Sequence, residues 1–214
     1  TGVDEKNGRA SLSLFIVETP DANLQMTVIP VEVTAPEKQF TLFFDNVRVP
    51  AEGLLGNVDD GLRQIFFGLN PERIMSAATS NGIGRYALDR GARYARERQV
   101  WGAPIATHQG LAHPLAEAYV HVELARLMTS KAAWMYDSEL DAGEASNMAK
   151  FAAADASVEA LERAIQIHGG NGMSTEYGLA DAWGFAIVLK IAPVSREMVL
   201  NYISQHSLGL PRSY

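Results

Sequence analysis

The chain of 214 residues contains no cysteine. That excludes disulfides, thiolate metal sites and cysteine nucleophiles. It is short of positive charge: 18 lysines and arginines stand against 25 aspartates and glutamates, a net charge of -7. No broad basic surface for nucleic acid is expected, although single basic residues can still grip phosphates. No apolar run approaches the ~18 residues that cross a bilayer, and the stretch from Ile187 to Ile191 is broken by Lys190. The chain starts at Thr1 without methionine, and its first strand pattern begins almost at once. We read it as a fragment or a processed chain, expected in the cytoplasm, with any N-terminal targeting signal lying upstream.

What is present suffices for a sizeable core: 47% of the residues are hydrophobic, enough for one or two domains. Residues 1–57 read as strands. Leu12, Leu14 and Ile16 alternate with Ser11, Ser13 and Phe15, a period of two. Leu24, Met26 and Val28 repeat the pattern, then Val31 and Val33, then Phe40, Leu42 and Phe44 before a turn at Asp45-Asn46. From residue 58 the period becomes helical. A first helix to about Arg98 has Asp59 or Asp60 as a possible cap and Pro71 near its second turn or as a kink. A second helix fits Thr107 to Leu140, with Leu115, Tyr119, Val122, Arg126 and Thr129 on one stripe. The short break at Asp141-Ala-Gly143 makes the third helix, Glu144 to His168, its antiparallel neighbour. Shorter helices fit Leu179 to Ile191 and Ser195 to Ser207. The fold class is therefore α+β: a partial antiparallel β domain (1–57) followed by an up-down α-helical bundle (58–214).

Two glycine-containing segments stand at the ends of long helical patterns. The first is Arg98-Gln-Val-Trp-Gly-Ala-Pro-Ile105, followed by Gln109. It suits a basic last turn, a turn at Gly102-Ala-Pro104 and a new helix. It equally suits a ligand site, with Arg98 as a planar fork for a pyrophosphate, Trp101 as an aromatic face and Gln109 as an amide. The second is Gln166-Ile-His-Gly-Gly-Asn-Gly172. Gly169 and Gly170 end a helix, and they also let backbone N–H groups approach an anion, with Gln166 adding an amide. His168 reads as a packed side chain.

Both segments, in this order and spacing, resemble the flavin-gripping segments of the acyl-CoA dehydrogenase family. The likeness covers nearly the whole chain, from the second half of the middle β domain through the C-terminal bundle. It implies FAD contacts at Arg98, Trp101, Gln109, Gln166, Gly169 and Gly170, made across a subunit boundary. It also implies Ser195, matching a threonine, and Glu197 on the FAD side. Phe44-Asp-Asn-Val-Arg-Val-Pro50 looks like the family's exit from the β domain, with Asp45 and Arg48 structural.

Removing an α-proton from an acyl thioester while a hydride leaves the β-carbon needs a base, and a desolvated carboxylate suits it. Many members of the resembling family carry this glutamate just before the last helix. The matching segment here is Ile191-Ala-Pro-Val-Ser195, with Pro193 at the glutamate position. Proline supplies neither a carboxylate nor an N–H for the thioester carbonyl. Gly68-Leu-Asn-Pro-Glu-Arg-Ile74 instead resembles isovaleryl-CoA and long-chain acyl-CoA dehydrogenases, whose base matches Glu72. By that likeness Glu72 is the catalytic base, and Leu69, Asn70 and Arg73 face the acyl-CoA. The competing reading pairs Glu72 with Arg73 on a solvated helix face.

The resemblance thus implies an FAD-dependent acyl-CoA dehydrogenase lacking its N-terminal helical domain. It further implies an electron-transfer flavoprotein as acceptor, assembly as a homo-oligomer (a dimer of dimers) and no metal. The alternative is a non-catalytic structural subunit of a mixed assembly, which Pro193 favours and the retained glycine motifs oppose.

Overall fold

A computed structural model describes residues 2–3 and 10–212. The chain divides into two compact units, Thr1–Leu69 and Asn70–Tyr214. The strands end at Leu55 and the first long helix starts at Gly61, so the division at Leu69 falls inside that helix.

Among the described residues, the first unit holds three antiparallel pairs. Strands β1 (Gly2–Val3) and β2 (Ala10–Ser11) pair, as do β3 (Leu14–Phe15) and β6 (Leu54–Leu55). The longest pair is β4 (Leu24–Ile29) with β5 (Gln39–Phe44), in register from Leu24↔Phe44 to Ile29↔Gln39. The turn expected at Asp45-Asn46 is present, with Asn46 at φ 54°. Two strand expectations fail. The run Leu12–Ile16 pairs only at Leu14–Phe15, and Val31 and Val33 lie in no strand. The alternation of β4 and β5 does not mark one buried face here: Met26, Val28, Phe40, Phe43 and Phe44 are all exposed.

The first helix, α1 (Gly61–Glu97), starts directly after Asp60, whose carbonyl accepts the Gln64 N–H at 3.1 Å. Asp59 accepts the Ser11 hydroxyl at 2.7 Å and gives its own N–H to Ser13 Oγ. The Asp60 carboxylate takes the Arg63 guanidinium at 2.8 Å. The helix runs on through Pro71 to Glu97.

The second unit is helical. Helix α2 (Gln109–Asp137) starts later than expected, because Ile105–Thr107 forms a 3-10 turn and His108 is extended. It stops at Asp137, and Glu139 takes φ 56°. Helix α3 (Gly143–His168) follows after a turn in which Asp141 Oδ1 accepts the Gly143 N–H. The buried face of α2 is Ala118, Val122, Ala125, Thr129 and Ala132. The expected stripe thus held Val122 and Thr129 but wrongly included Tyr119 and Arg126, which are exposed. The reason is the partner. Helix α3 presents Ala145, Ala149, Ala153, Ala156, Ala160 and Ala164, and two alanine faces interlock more closely than bulky rings allow. Helix α1 joins this core closely as well: a Cβ on Gly84 would lie 2.9 Å from Val122 and 3.5 Å from Ser157 Cα.

Helices α4 (Leu179–Ile191) and α5 (Arg196–Tyr202) complete the unit. Ser195 is the N-cap of α5, accepting the Met198 N–H, and a π-helical turn over Ile203–Ser207 continues it. No described helix is long and apolar enough to cross a membrane.

Candidate functional site

Helix α1 delivers Arg98 to one end of the bundle. Its N–H makes a helical bond to Tyr94 O at 2.8 Å, and its carbonyl receives Ile105 N–H at 2.9 Å. Between these lies a hairpin, β7 (Gln99–Val100) and β8 (Ala103–Pro104). Its tip is Trp101-Gly102 rather than the expected Gly102-Ala-Pro104. Both tip residues have positive φ, 53° and 81°, the geometry of a two-residue hairpin turn. Such backbone is unfavourable for tryptophan, and its ring is 90% exposed.

Helix α3 delivers the second motif to the same end. Gly169 ends it at φ 59°, where a side chain would be strained. Arg98, Gln166, Gly169 and Gly170 line one open groove of about 400 Å³ with Tyr94 and His168. A Cβ on Gly169 or Gly170 would meet no atom within 4 Å, so these two face open space. Gly172 differs: its Cβ would lie 2.6 Å from Ile165 O. That glycine is needed for packing.

The groove is braced from below. His168 is buried, with Nδ1 2.7 Å from Ala164 O. Its ring stacks on Tyr94 and meets Tyr177 edge-on at 5.0 Å. Asn171 donates to the Tyr94 hydroxyl at 3.1 Å. Sequence reasoning treated His168 as packed and passed over Tyr94 and Asn171. The spacing of Tyr94, one helical turn before Arg98, was the available signal.

The remaining candidates lie apart from the groove lining. Trp101 projects at the hairpin tip, its ring 6.2 Å from His108, and Gln109 is exposed at the start of α2. Ser195 is half-buried, its hydroxyl engaged as the α5 cap, and Glu197 is exposed in the first turn of α5. On α1, Glu72 is exposed and Leu69 half-buried. Arg73 is 2% exposed. Its guanidinium donates to Asn147 Oδ1 at 2.7 Å and Asn70 Oδ1 at 2.8 Å. Burial draws its pKa below the usual value, and Tyr202 and Glu72 act in the opposite sense. Two of the expected substrate residues, Asn70 and Arg73, are therefore bonded to each other.

The family model for the acyl-CoA dehydrogenase C-terminal domain matches residues 59–208. The chain belongs to the acyl-CoA dehydrogenase family. Acyl-CoA dehydrogenase FadE12 of Mycobacterium tuberculosis is 52% identical over 213 residues, 99% of this chain and 55% of that protein. A glutaryl-coenzyme A dehydrogenase in complex with glutaryl-CoA has the same fold at TM-score 0.89 and 32% identity, over 98% of this chain and 54% of that one. Butyryl-CoA dehydrogenase of Megasphaera elsdenii gives 0.87 and 27%, over 96% and 54%. The chain thus spans about half the length of the curated relatives it matches. In this member of the family the α4–α5 loop carries Pro193, and Lys150 from α3 donates to two carbonyls at that loop, Lys190 O at 2.7 Å and Val194 O at 2.6 Å. Lys150 was absent from the sequence reading. A lone lysine inside the alanine face of α3 was the signal that would have found it.

Proposed function

We propose that this chain is the C-terminal half of an FAD-dependent acyl-CoA dehydrogenase. Residues 1–57 form the end of its middle β domain, and residues 58–214 its helical bundle. The observation that carries the reading is the shared groove of Arg98, Gln166, Gly169 and Gly170. An exposed guanidinium beside two glycines with open space at their Cβ positions suits a pyrophosphate. In this reading those four residues hold FAD, with Trp101 and Gln109 adding contacts from outside the groove lining and Ser195 and Glu197 from the start of α5. Bound FAD would supply the hydride acceptor for the acyl β-carbon.

Glu72 takes the α-proton onto its carboxylate, and Leu69, Asn70 and Arg73 shape the acyl-CoA side. Arg73, fixed by Asn147 and Asn70, keeps a permanent positive charge next to Glu72 in sequence. Pro193 leaves the α4–α5 loop without one N–H donor, so stabilisation of the enolate-like thioester oxygen falls to groups outside that loop. An electron-transfer flavoprotein would serve as the electron acceptor, and the enzyme would assemble as a homo-oligomer in which Arg98 reaches a partner's cofactor. The fragment alone lacks the remainder of the site and is inactive.

Pro193 also favours a second reading, a non-catalytic subunit that keeps the bundle. The two part on one experiment. Full-length dehydrogenase is yellow and bleaches anaerobically on addition of an acyl-CoA; a structural subunit stays colourless or keeps its colour.

A further inference from the structure

At 1% exposure, Lys150 is the bulkiest fully buried side chain among the described residues. It lies on α3 between Ala149 and Ala153, where a lone ammonium is costly. Burial pulls its pKa from 10.5 to about 8, with Asp155 and Glu197 pulling back. A lysine kept solely to fill space would be better replaced by an apolar side chain. Its bonds indicate what it is kept for.

The Lys190 carbonyl belongs to the last turn of α4, where helical partners run out. Val194 immediately precedes Ser195, the cap of α5. One ammonium group therefore joins the end of α4 to the start of α5 across the Pro193 loop. Five residues further along α3, Asp155 pairs with side chains of the two helices that flank this loop: Lys190 Nζ of α4 at 2.9 Å and Arg196 Nε of α5 at 3.2 Å. The Arg196 guanidinium also lies over the Phe151 ring, 4.5 Å from its centre. Lys190 is thus held twice, by its backbone from Lys150 and by its side chain from Asp155. Pro193 itself brings no N–H to the loop.

We propose that Lys150 is a positioning residue: with Asp155 it fixes the loop from Ala192 to Ser195 on α3, and so sets where Ser195 and Glu197 stand. Its bearing on turnover rests on the dehydrogenase reading; the fixing of the loop does not. The test compares Lys150→Met and Asp155→Asn with the parent in the full-length protein. Hydrogen exchange should rise at residues 190–198 and stay unchanged in α2. The maximal rate of flavin reduction by an acyl-CoA should fall roughly 10- to 100-fold, the scale of a misplaced site, with KM altered less than about 3-fold. Should Lys150→Met fail to fold, Asp155→Asn makes the same comparison, because that carboxylate is partly exposed. Unchanged exchange at 190–198 overturns the proposal, as does exchange that rises throughout the bundle. A parent protein that no acyl-CoA reduces overturns the dehydrogenase reading alone, and the exchange result still decides the role of Lys150.

Discussion

Tyr94 and His168 stack with their ring centres 4.1 Å apart and their planes at 28°. Tyr94 stands four residues before Arg98 on α1, and His168 two residues after Gln166 on α3. The stack therefore locks the two motif-bearing helix ends together, and the bond from Asn171 to the Tyr94 hydroxyl locks the glycine turn to the same ring. A buried aromatic contact of this kind adds about 0.5–1.5 kcal/mol beyond its area. Its larger consequence is geometric: the donors above it are pre-arranged.

Arg98 is exposed, so its loss should leave the bundle intact and weaken the cofactor. Arg98→Ala in the full-length protein should lower FAD affinity about 10- to 100-fold, the scale of a charge-assisted hydrogen bond. Arg98→Lys should recover only part, since lysine keeps the charge but not the fork. Flavin titration followed by fluorescence gives both numbers. Equal affinity for all three proteins would remove Arg98 from the site.

The glycines separate by role. Gly170→Ala adds a methyl into open space, so the melting temperature should hold while FAD binding falls. Gly172→Ala forces its methyl to 2.6 Å from Ile165 O. Overpacking against backbone costs about 1–3 kcal/mol, so this variant should melt several degrees lower whether or not flavin is present. Paired thermal melts with and without FAD separate the two. A Gly170→Ala protein with parental FAD affinity would mean that the groove does not hold the cofactor there.

The helices and their glycine stops could be read from the sequence, because periodicity and helix-end chemistry are local. Gly169 ends α3 where expected. The hairpin tip was misplaced by one residue, since a tryptophan with positive φ breaks the ordinary preference. Two-residue strands such as β3 depend on a partner far along the chain, here Leu55 for Leu14, 41 residues away, and alternation alone cannot fix such pairing. The convergence of Arg98 with Gly169 and Gly170 was carried by family likeness. The Tyr94–His168 stack and the Lys150 bonds are tertiary contacts: helix spacing marks Tyr94 and the alanine face marks Lys150, but neither local signal names the partner.

Lys150 also makes a pH prediction. Its pKa falls from 10.5 to about 8 on folding, chiefly by burial. Between those values the unfolded chain keeps a proton that the folded chain has released, so stability from this group rises with pH across that window. Below about 8 both states are protonated and the contribution is flat. The stability difference between the parent and Lys150→Met should therefore shift toward the parent between pH 8 and 10, by up to about 1.4 kcal/mol per pH unit. Urea midpoints at pH 7.5, 8.5 and 9.5 measure it. A difference that ignores pH would mean the ammonium is not desolvated.

Glu72→Gln tests the chemistry most directly. Glu72 is exposed in this chain, so the amide should fold normally and leave the melting temperature unchanged. It lies away from the Arg98 groove lining, so FAD should bind as before. What the amide cannot do is accept the α-proton. Loss of a positioned base costs roughly 100- to 10,000-fold, and flavin reduction by acyl-CoA should slow on that scale while KM stays near its parental value. Stopped-flow absorbance of the full-length protein reads the rate, and a colour titration reads the binding. If Glu72→Gln reduces its flavin at the parental rate, the base is another carboxylate. If it loses the flavin altogether, Glu72 belongs to the cofactor site and not to proton transfer.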